Sequence, residues 1–219
     1  MRRSDSRRDL TGRDRTWILI AVEIREGFFR VAVGALLIAA MGTSMWFRRR
    51  ADRAGGGISR ARDGAVMPIV LTAFGIAGAV SLLAWLIRPQ TFDWALLRLP
   101  LWARLVAVGL AASCLPMFYW MFQHLGSNVT ATSVVRENAR LVTTGPYRFI
   151  RHPMYTFGTL FYAALSLAMD TWWMMLLVGC AFLIIAWRTQ REEANLSARF
   201  GAEYERYRER TGRFFPKIR

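Results

Sequence analysis

The sequence predicts an all-α integral membrane protein, a helical bundle of about five transmembrane helices with a C-terminal helical hairpin and a cytoplasmic tail helix. Of its 219 residues 54% are hydrophobic, yet the chain carries a formal net charge of +15. The apolar residues stand in long unbroken runs, and most charged residues stand between those runs. This separation of apolar runs from charged loops is typical of membrane proteins, because charges are costly in hydrocarbon and backbone polar groups must be satisfied within helices.

The N-terminal segment, residues 1–27, is basic and polar before it becomes apolar near Trp17. The apolar stretch is short, and Glu23 and Glu26 interrupt it, which does not suit a cleaved signal peptide. We therefore expect an amphipathic segment over Trp17–Arg30 that lies in the membrane interface.

Three apolar runs in residues 28–123 predict transmembrane helices at Phe28–Phe47, Val66–Ile87 and Leu101–Phe122. Each approaches the length of about 20 residues that crosses a bilayer. Arg104 lies inside the third run near its beginning, and its long side chain is expected to snorkel to the near interface.

Residues 124–219 are expected to form the catalytic part of the chain: a long polar loop, two apolar runs and a charged tail. The runs Pro153–Met169 and Thr171–Trp187 are separated by little more than Asp170. Both are at the short limit for spanning a bilayer, so they predict a tight helical hairpin that need not cross fully.

The positive charges predict the orientation and the partners. Nineteen Lys and Arg residues lie in the first loop, the third loop and the tail, and ten lie in residues 1–30 and the second loop. The positive-inside rule then places the tail and third loop in the cytoplasm, with the protein in a bacterial inner membrane, although the arginines of the N-terminal segment oppose this orientation. The basic loops suit anionic lipid, and since no base-reading motif accompanies them we expect no nucleic-acid partner.

The cysteines and histidines indicate neither a disulfide framework nor a metal site. Cys114 and Cys180 each lie inside an apolar run, and no metal-ligand spacing surrounds them. The histidines are His124 and His152 alone. We therefore expect no zinc ion.

One stretch before the hairpin, LVTTGPYRFIRHPMY, has the features of an anion-binding helix start. Pro153 favours the first position of a helix, which makes His152 the expected N-cap. Three backbone N–H groups would then be unpaired donors for a carboxylate or phosphate, with two arginines nearby to reinforce them. These donors belong to Met154, Tyr155 and Thr156, and the arginines are Arg148 and Arg151. The alternative is a basic interfacial loop that only caps a membrane helix.

A second stretch after the hairpin, REEANLSARFGAEYERY, begins at Arg191. If the last apolar helix continues past Trp187, Arg188 and Glu192 lie on one helical face at i and i+4. The alternative is a solvated, salt-bridged helix, with Tyr204 and Tyr207 as ordinary packing residues.

Together, the two stretches resemble the isoprenylcysteine carboxyl methyltransferase family and its phospholipid methyltransferase relatives. The resemblance rests on LVTTGPYRFIRHPMYTFG, a short hydrophobic hairpin, and then R-x-x-x-E-E-x-x-L-x-x-x-F-G-x-E-Y-x-x-Y, ending near a proline. It covers Leu141 to Pro216. Ala139 and Arg140, just before it, depart from the pair that the eukaryotic enzymes carry.

The resemblance implies a pocket for S-adenosylmethionine between the loop before the hairpin and the helix after it. Gly145 and Pro146 would shape the loop, Glu192 would hold a polar group of the cofactor, and Arg188 would face the methyl acceptor. The residues that would line the cofactor are Leu141, Val142, Tyr147, His152 and Tyr155. The cofactor's carboxylate suits the helix start at Pro153 and Met154, and its ammonium suits Glu192 or Glu193.

The function expected from this resemblance is methyl transfer from S-adenosylmethionine to a lipophilic acceptor. Such a transfer needs no metal, because holding two reactants in line can lower the barrier by about 7–11 kcal/mol. Because Arg188 would face the acceptor, we expect the acceptor to be an anion, either a carboxylate of the isoprenylcysteine type or a thiolate. The alternatives are ethanolamine N-methylation of a phospholipid, an NADPH-dependent reductase of the sterol reductase type, and a non-enzymatic membrane scaffold.

Overall fold

The computed structural model describes residues 12–53, 66–126 and 141–217, which fold almost entirely into helices. Two short 3-10 helices, Pro89–Ala95 and Gly145–Arg148, lie in the connections. The α-helices are α1 (Gly12–Arg53), α2 (Val66–Ile87), α3 (Leu101–Leu125), α4 (Pro153–Ala168), α5 (Trp172–Phe200) and α6 (Ala202–Arg210). Within these ranges β-structure is limited to two isolated bridges, so the predicted all-α fold is confirmed.

Four of the helices are long and apolar enough to cross a membrane. These candidate spans are Glu23–Arg53 in α1, Ile69–Ile87 in α2, Leu101–Leu125 in α3 and Trp172–Phe200 in α5. Helix α4 has only 16 residues, but four of its apolar side chains are buried between the neighbouring helices: Phe161, Ala164, Leu165 and Ala168. The chain is therefore a membrane helical bundle in which α4, the shortest of the helices α1 to α5, lies at the core.

The contacts between helices give the bundle two distinct ends. Arg104 near the start of α3 bonds to Ala168 at the end of α4, so these two neighbours are antiparallel. We call this the turn end, because it contains the α4–α5 turn at Asp170. At the opposite end, Phe47 of α1 stacks on Phe122 of α3 with ring centroids 5.5 Å apart. We call this the site end, because the start of α4 and the last turns of α5 also lie there.

Helix α1 contains the stretch that is expected to lie in the membrane interface. Residues 12–53 form one continuous helix, so Trp17–Arg30 is its first part and no break precedes the span at Phe28. Two charged residues of this helix, Glu26 and Arg30, have partners inside the bundle. Arg30, for example, donates through Nε to the carbonyl of Leu86 at 2.7 Å and so caps the end of α2. The division of the chain at residues 27 and 123 stays a prediction.

The second helix of the hairpin continues past the apolar run that ends at Trp187. Helix α5 reaches Phe200, over 29 residues, which is the condition under which Arg188 and Glu192 share a helical face. At the turn, Asp170 adopts a φ of 60°, and its Oδ1 accepts a hydrogen bond from the Leu99 N–H at 2.9 Å. Since Leu99 lies two residues before α3, this bond fixes the hairpin turn to the start of α3.

Arg104 does not snorkel to the interface, because the bundle supplies partners for its guanidinium. Its side chain is 4% exposed and binds both carboxylate oxygens of Glu26, at 2.7 and 2.9 Å. Its Nε donates to the carbonyl of Ala168 at 2.9 Å, and its guanidinium lies 3.8 Å from the centroid of the Phe29 ring. The bidentate pair with Glu26, together with the hydrogen bond from Nε, offsets the cost of burying the charge of Arg104.

We predict that Arg104→Ala lowers the free energy of unfolding by about 3 kcal/mol, because Glu26 loses its buried partner and keeps only the exposed Arg25. Unfolding in detergent micelles measures this. The matched control is Arg25→Ala. The Nε of Arg25 lies 3.4 Å from the carboxylate of Glu26, and the Arg25 side chain is 47% exposed. We expect a loss of about 1 kcal/mol or less for that exposed pair, and equal losses for the two variants would contradict the prediction.

Candidate functional site

The loop that enters α4 is fixed by the end of α3. Gly145 has a φ of +61°, and a Cβ at this position would overlap the ring of His124. The Nδ1 of His124 lies 3.1 Å from the Oγ1 of Thr144, within hydrogen-bonding distance. Only glycine permits both this backbone conformation and the close approach of the ring. The short 3-10 turn that follows, Gly145–Arg148, is thereby held against the bundle.

Tyr147 in this turn packs into the site end of the bundle. Its ring lies against an apolar cluster formed by Phe47, Ala51, Met121 and Phe122. Its carbonyl accepts a hydrogen bond from the hydroxyl of Tyr207 on α6 at 2.8 Å. Burial raises the pKa of the Tyr147 phenol, and the neighbouring Tyr207 adds to the shift. The phenol is therefore neutral at physiological pH.

The chain's C-terminal segment crosses the start of α4. We call Gly212–Phe214 the C-terminal strap. The N–H of Arg151 donates to the carbonyl of Gly212 at 2.8 Å, and the N–H of His152 donates to the carbonyl of Arg213 at 3.1 Å. The hydroxyl of Thr156, one turn into α4, donates to the carbonyl of Phe214 at 3.0 Å. The strap thus runs beside the residues where the sequence predicted the cofactor's carboxylate.

Glu193 is the centre of a buried ion cluster at this point. Its side chain is 6% exposed, and its Oε1 lies 2.8 Å from Arg151 Nε and 3.3 Å from His152 Nε2. Its Oε2 accepts a bond of 2.6 Å from Arg213, which also donates through Nε to Oε1 at 3.2 Å. The bond to Glu193 raises the pKa of the Arg213 guanidinium further above its ordinary value. The carboxylate of Glu193 is therefore occupied by partners from the protein itself.

Arg151 joins this cluster to the tail, since its Nη1 also donates to the carbonyls of Arg208 and Thr211. Tyr204 is fully buried nearby, and burial together with the charge of Glu193 raises its pKa to about 12. Tyr204 and Tyr207 do pack as expected, but the hydroxyl of Tyr207 also holds the site loop.

Glu192, the neighbouring carboxylate, lies on a more open face of α5. Its oxygens accept from the hydroxyl of Tyr155 at 3.1 and 3.2 Å. Arg188 approaches it to 4.0 Å one helical turn earlier, as the i and i+4 spacing predicts. The Nδ1 of His152 lies 3.9 Å from the same carboxylate, and the imidazole ring stacks on Tyr155 with centroids 5.7 Å apart. Glu192 is thus a carboxylate bordered by two aromatic rings and a guanidinium.

The residues predicted from the sequence fall into three groups. His152, Tyr155, Arg188 and Glu192 come together between α4 and α5, with Glu193 behind them. Gly145 and Tyr147 lie in the adjoining turn, and half-buried Leu141 and Val142 lead into it. Pro153 and Met154 begin α4, and His152 is its N-cap as predicted.

The predicted anion seat at the start of α4 is smaller than the sequence suggested. The N–H of Thr156 donates to the carbonyl of His152 at 3.1 Å, which removes it from the set of unpaired donors. Arg151 is directed to Glu193 instead of the helix end. Arg148 lies over the Phe149 ring, 4.5 Å from its centroid. The backbone N–H groups of Met154 and Tyr155 remain as candidate donors.

Sequence reasoning did not identify four residues that shape this site: His124, Tyr207, Arg213 and Phe214. Gly145-Pro146 predicted a turn but not the ring against which it packs. Gly212 and Pro216 indicate a turn or loop at the end of the tail, and this was the local pattern from which the strap could have been predicted.

Comparisons with known proteins concern this same part of the chain. The family model for phospholipid methyltransferase matches residues 102–203, from α3 to the start of α6. The nickel-cobalt-cadmium resistance protein NccN of Alcaligenes xylosoxydans xylosoxydans is 31% identical over 83 residues, which are 38% of this chain and 39% of that protein. The cobalt-zinc-cadmium resistance protein CzcN of Cupriavidus metallidurans is also 31% identical over 83 residues, 38% of either chain. The chain thus matches about two fifths of the length of these curated relatives.

We predict that Gly145→Ala displaces the site loop from His124 and lowers the unfolding temperature, since the Cβ and the positive φ are both unfavourable there. Thermal unfolding in detergent tests this. Gly109→Ala is the control, because a Cβ at that helical position in α3 meets nothing within 4 Å. It should raise stability by about 0.5–1 kcal/mol, and a similar gain in Gly145→Ala would refute the role given to this glycine.

Proposed function

We propose, from the match of residues 102–203 to the family model for phospholipid methyltransferase, that the chain is a membrane methyltransferase that uses S-adenosylmethionine. The observation that supports this most directly is the meeting of His152, Tyr155, Arg188 and Glu192 between α4 and α5. These residues come from the two stretches that carry the family resemblance, and they share the site end of the bundle.

The chemistry of this cluster fits S-adenosylmethionine, a zwitterion with a cationic sulfonium. Glu192 is a partly exposed carboxylate beside the rings of His152 and Tyr155, which suits a cationic group. The backbone N–H groups of Met154 and Tyr155 suit the carboxylate of the amino acid part. When bound, the cofactor supplies an electrophilic methyl group. Glu193 is better excluded from direct binding, because its two oxygens already bond to Arg151, Arg213 and His152.

The protein's own contribution is then orientation and exclusion of water. Tyr155 holds Glu192 through its hydroxyl, and the tightly packed Tyr147 fixes the loop beside them. Transfer of a methyl group in line needs no general acid, so these residues need only hold the two reactants in position.

The methyl acceptor that we propose is an anion on a lipophilic molecule, a carboxylate or a thiolate. Arg188 lies near the apolar part of α5, one turn before Glu192, and a guanidinium pairs well with a carboxylate. An anionic acceptor is already deprotonated, and it therefore needs no base. The second candidate is the ethanolamine amine of a phospholipid, favoured by the name of the matching family. An amine would be repelled by Arg188 and would require Glu192 to take its proton.

We further propose that the site end faces the cytoplasm of a bacterial inner membrane. The first and third loops and the tail, which carry nineteen of the Lys and Arg residues, all connect to helices at this end. The positive-inside rule favours this orientation, and membrane lipids with anionic head groups would contact the basic loops.

We predict that Glu192→Gln weakens binding of S-adenosylhomocysteine by roughly 10-fold or more, since a bond to a charged group contributes about 1.5–3 kcal/mol. Tyr147→Ala and His152→Ala should weaken it as well. Isothermal titration in detergent measures the Kd, with size-exclusion chromatography as the check of folding. Glu203→Gln on the exposed face of α6 is the control. Wild-type affinity in all three site variants would refute the cofactor site.

We predict that Arg188→Ala loses activity selectively on an anionic acceptor, and that Arg188→Lys keeps part of it because the charge remains. A prenylcysteine analogue and phosphatidylethanolamine are compared as acceptors of a radiolabelled methyl group. Arg191→Ala is the matched control, since Arg191 is exposed on the same helix and lies over the Trp187 ring. Activity confined to the amine, or unchanged without Arg188, would overturn the anionic acceptor.

A further inference from the structure

The C-terminal strap meets the site through backbone hydrogen bonds and through two side chains, and Arg213 adds an ion pair. Its guanidinium binds both oxygens of Glu193, with distances of 2.6 Å to Oε2 and 3.2 Å to Oε1. Glu193 is far less exposed than Arg213, at 6% against 37% of the side chain. The pair therefore draws the end of the chain over a carboxylate that lies inside the protein.

The same carboxylate determines which ring nitrogen of His152 carries a hydrogen. The Nε2 of His152 lies 3.3 Å from Glu193 Oε1, and an ionised carboxylate can only accept a hydrogen bond. The hydrogen-bond network thus assigns a hydrogen to Nε2. The other nitrogen, Nδ1, is then directed toward Glu192, 3.9 Å away, on the side proposed for the cofactor.

The strap also holds the plane of this ring. Phe214 follows Arg213 directly, and its ring centroid lies 5.9 Å from that of His152 and 5.2 Å from that of Phe182 on α5. Tyr155 stacks on His152 at 5.7 Å. The imidazole is thus placed by two aromatic neighbours and one carboxylate, and Arg213 anchors both the carboxylate and the strap that carries Phe214.

We propose that Arg213 is a positioning residue of the cofactor site, acting through Glu193 and the strap to fix the orientation and tautomer of His152. The proposal rests on the proposed function for its effect on cofactor binding, whereas its effect on the imidazole ring is independent of any ligand. Without Arg213, the Oε2 of Glu193 loses its partner, while Arg151 continues to bind Oε1. The fold is therefore expected to persist while the ring loses its fixed position.

The first test reads the ring directly by ¹⁵N NMR of the imidazoles in the full-length protein in nanodiscs. The chain has two histidines, so His152→Ala assigns the signals. Wild type should show His152 as one tautomer with the hydrogen on Nε2, and Arg213→Ala should show exchange between tautomers. Arg213→Lys should restore part of the wild-type signal, and Arg210→Ala, in the exposed last turn of α6, should leave it unchanged. An unchanged His152 signal in Arg213→Ala overturns the proposal.

The second test is a double-mutant cycle on the Kd of S-adenosylhomocysteine. Arg213→Ala alone should weaken binding roughly 10-fold, because small displacements of binding groups are costly. In a His152→Ala background it should add less than about 3-fold, since residues that act through one another are not additive. Full additivity would show that Arg213 acts apart from His152 and would overturn the proposal. A wild-type protein that binds no S-adenosylhomocysteine would refute the proposed function, and the NMR result would still decide the role of Arg213.

Discussion

The site end of the bundle depends on the burial of one carboxylate, that of Glu193. A buried charge is tolerated only where partners surround it, and here they come from two separate parts of the chain, residues 151–152 and Arg213. Arg151 comes from the loop before α4, His152 caps that helix, and Arg213 comes from the tail. Because all three converge on one group of α5, the loop, the hairpin and the C-terminus take a single arrangement.

The turn end uses the same principle with different residues. Arg104 and Glu26 neutralise each other, and the Phe29 ring and the carbonyl of Ala168 complete the surroundings of the guanidinium. Each end of the bundle thus has a buried ion cluster that joins helices distant in sequence. In a bilayer, where apolar packing alone discriminates weakly between helix arrangements, such clusters specify which helices become neighbours.

Local signals in the sequence predicted most of the fold. The run Val66–Ile87 and the helix start at Pro153 agree with the structure, since apolar length and proline position are local properties. The i and i+4 spacing likewise placed Arg188 beside Glu192. Errors arose where a charge met a distant partner. Arg104 was expected at the interface because its pair with Glu26 spans 78 residues, and no pattern in a single sequence reveals such a pair. The bond between Glu193 and Arg213 was likewise not predicted, since Arg213 lies beyond the following helix.

The shortness of α4 sets the depth of the site in the membrane. Its 16 residues rise about 24 Å, less than the roughly 30 Å of a hydrocarbon core. At the turn end, Trp94 packs against Trp172 and Trp173, a set of indoles suited to the head-group layer. If the turn end is anchored at the interface, the difference between the length of α4 and the thickness of the hydrocarbon core lies at the site end. There the bilayer thins, or His152 lies below the level of the lipid head groups. The lipophilic acceptor proposed above would then reach the site without leaving its leaflet, and bilayer thickness would act on the site itself.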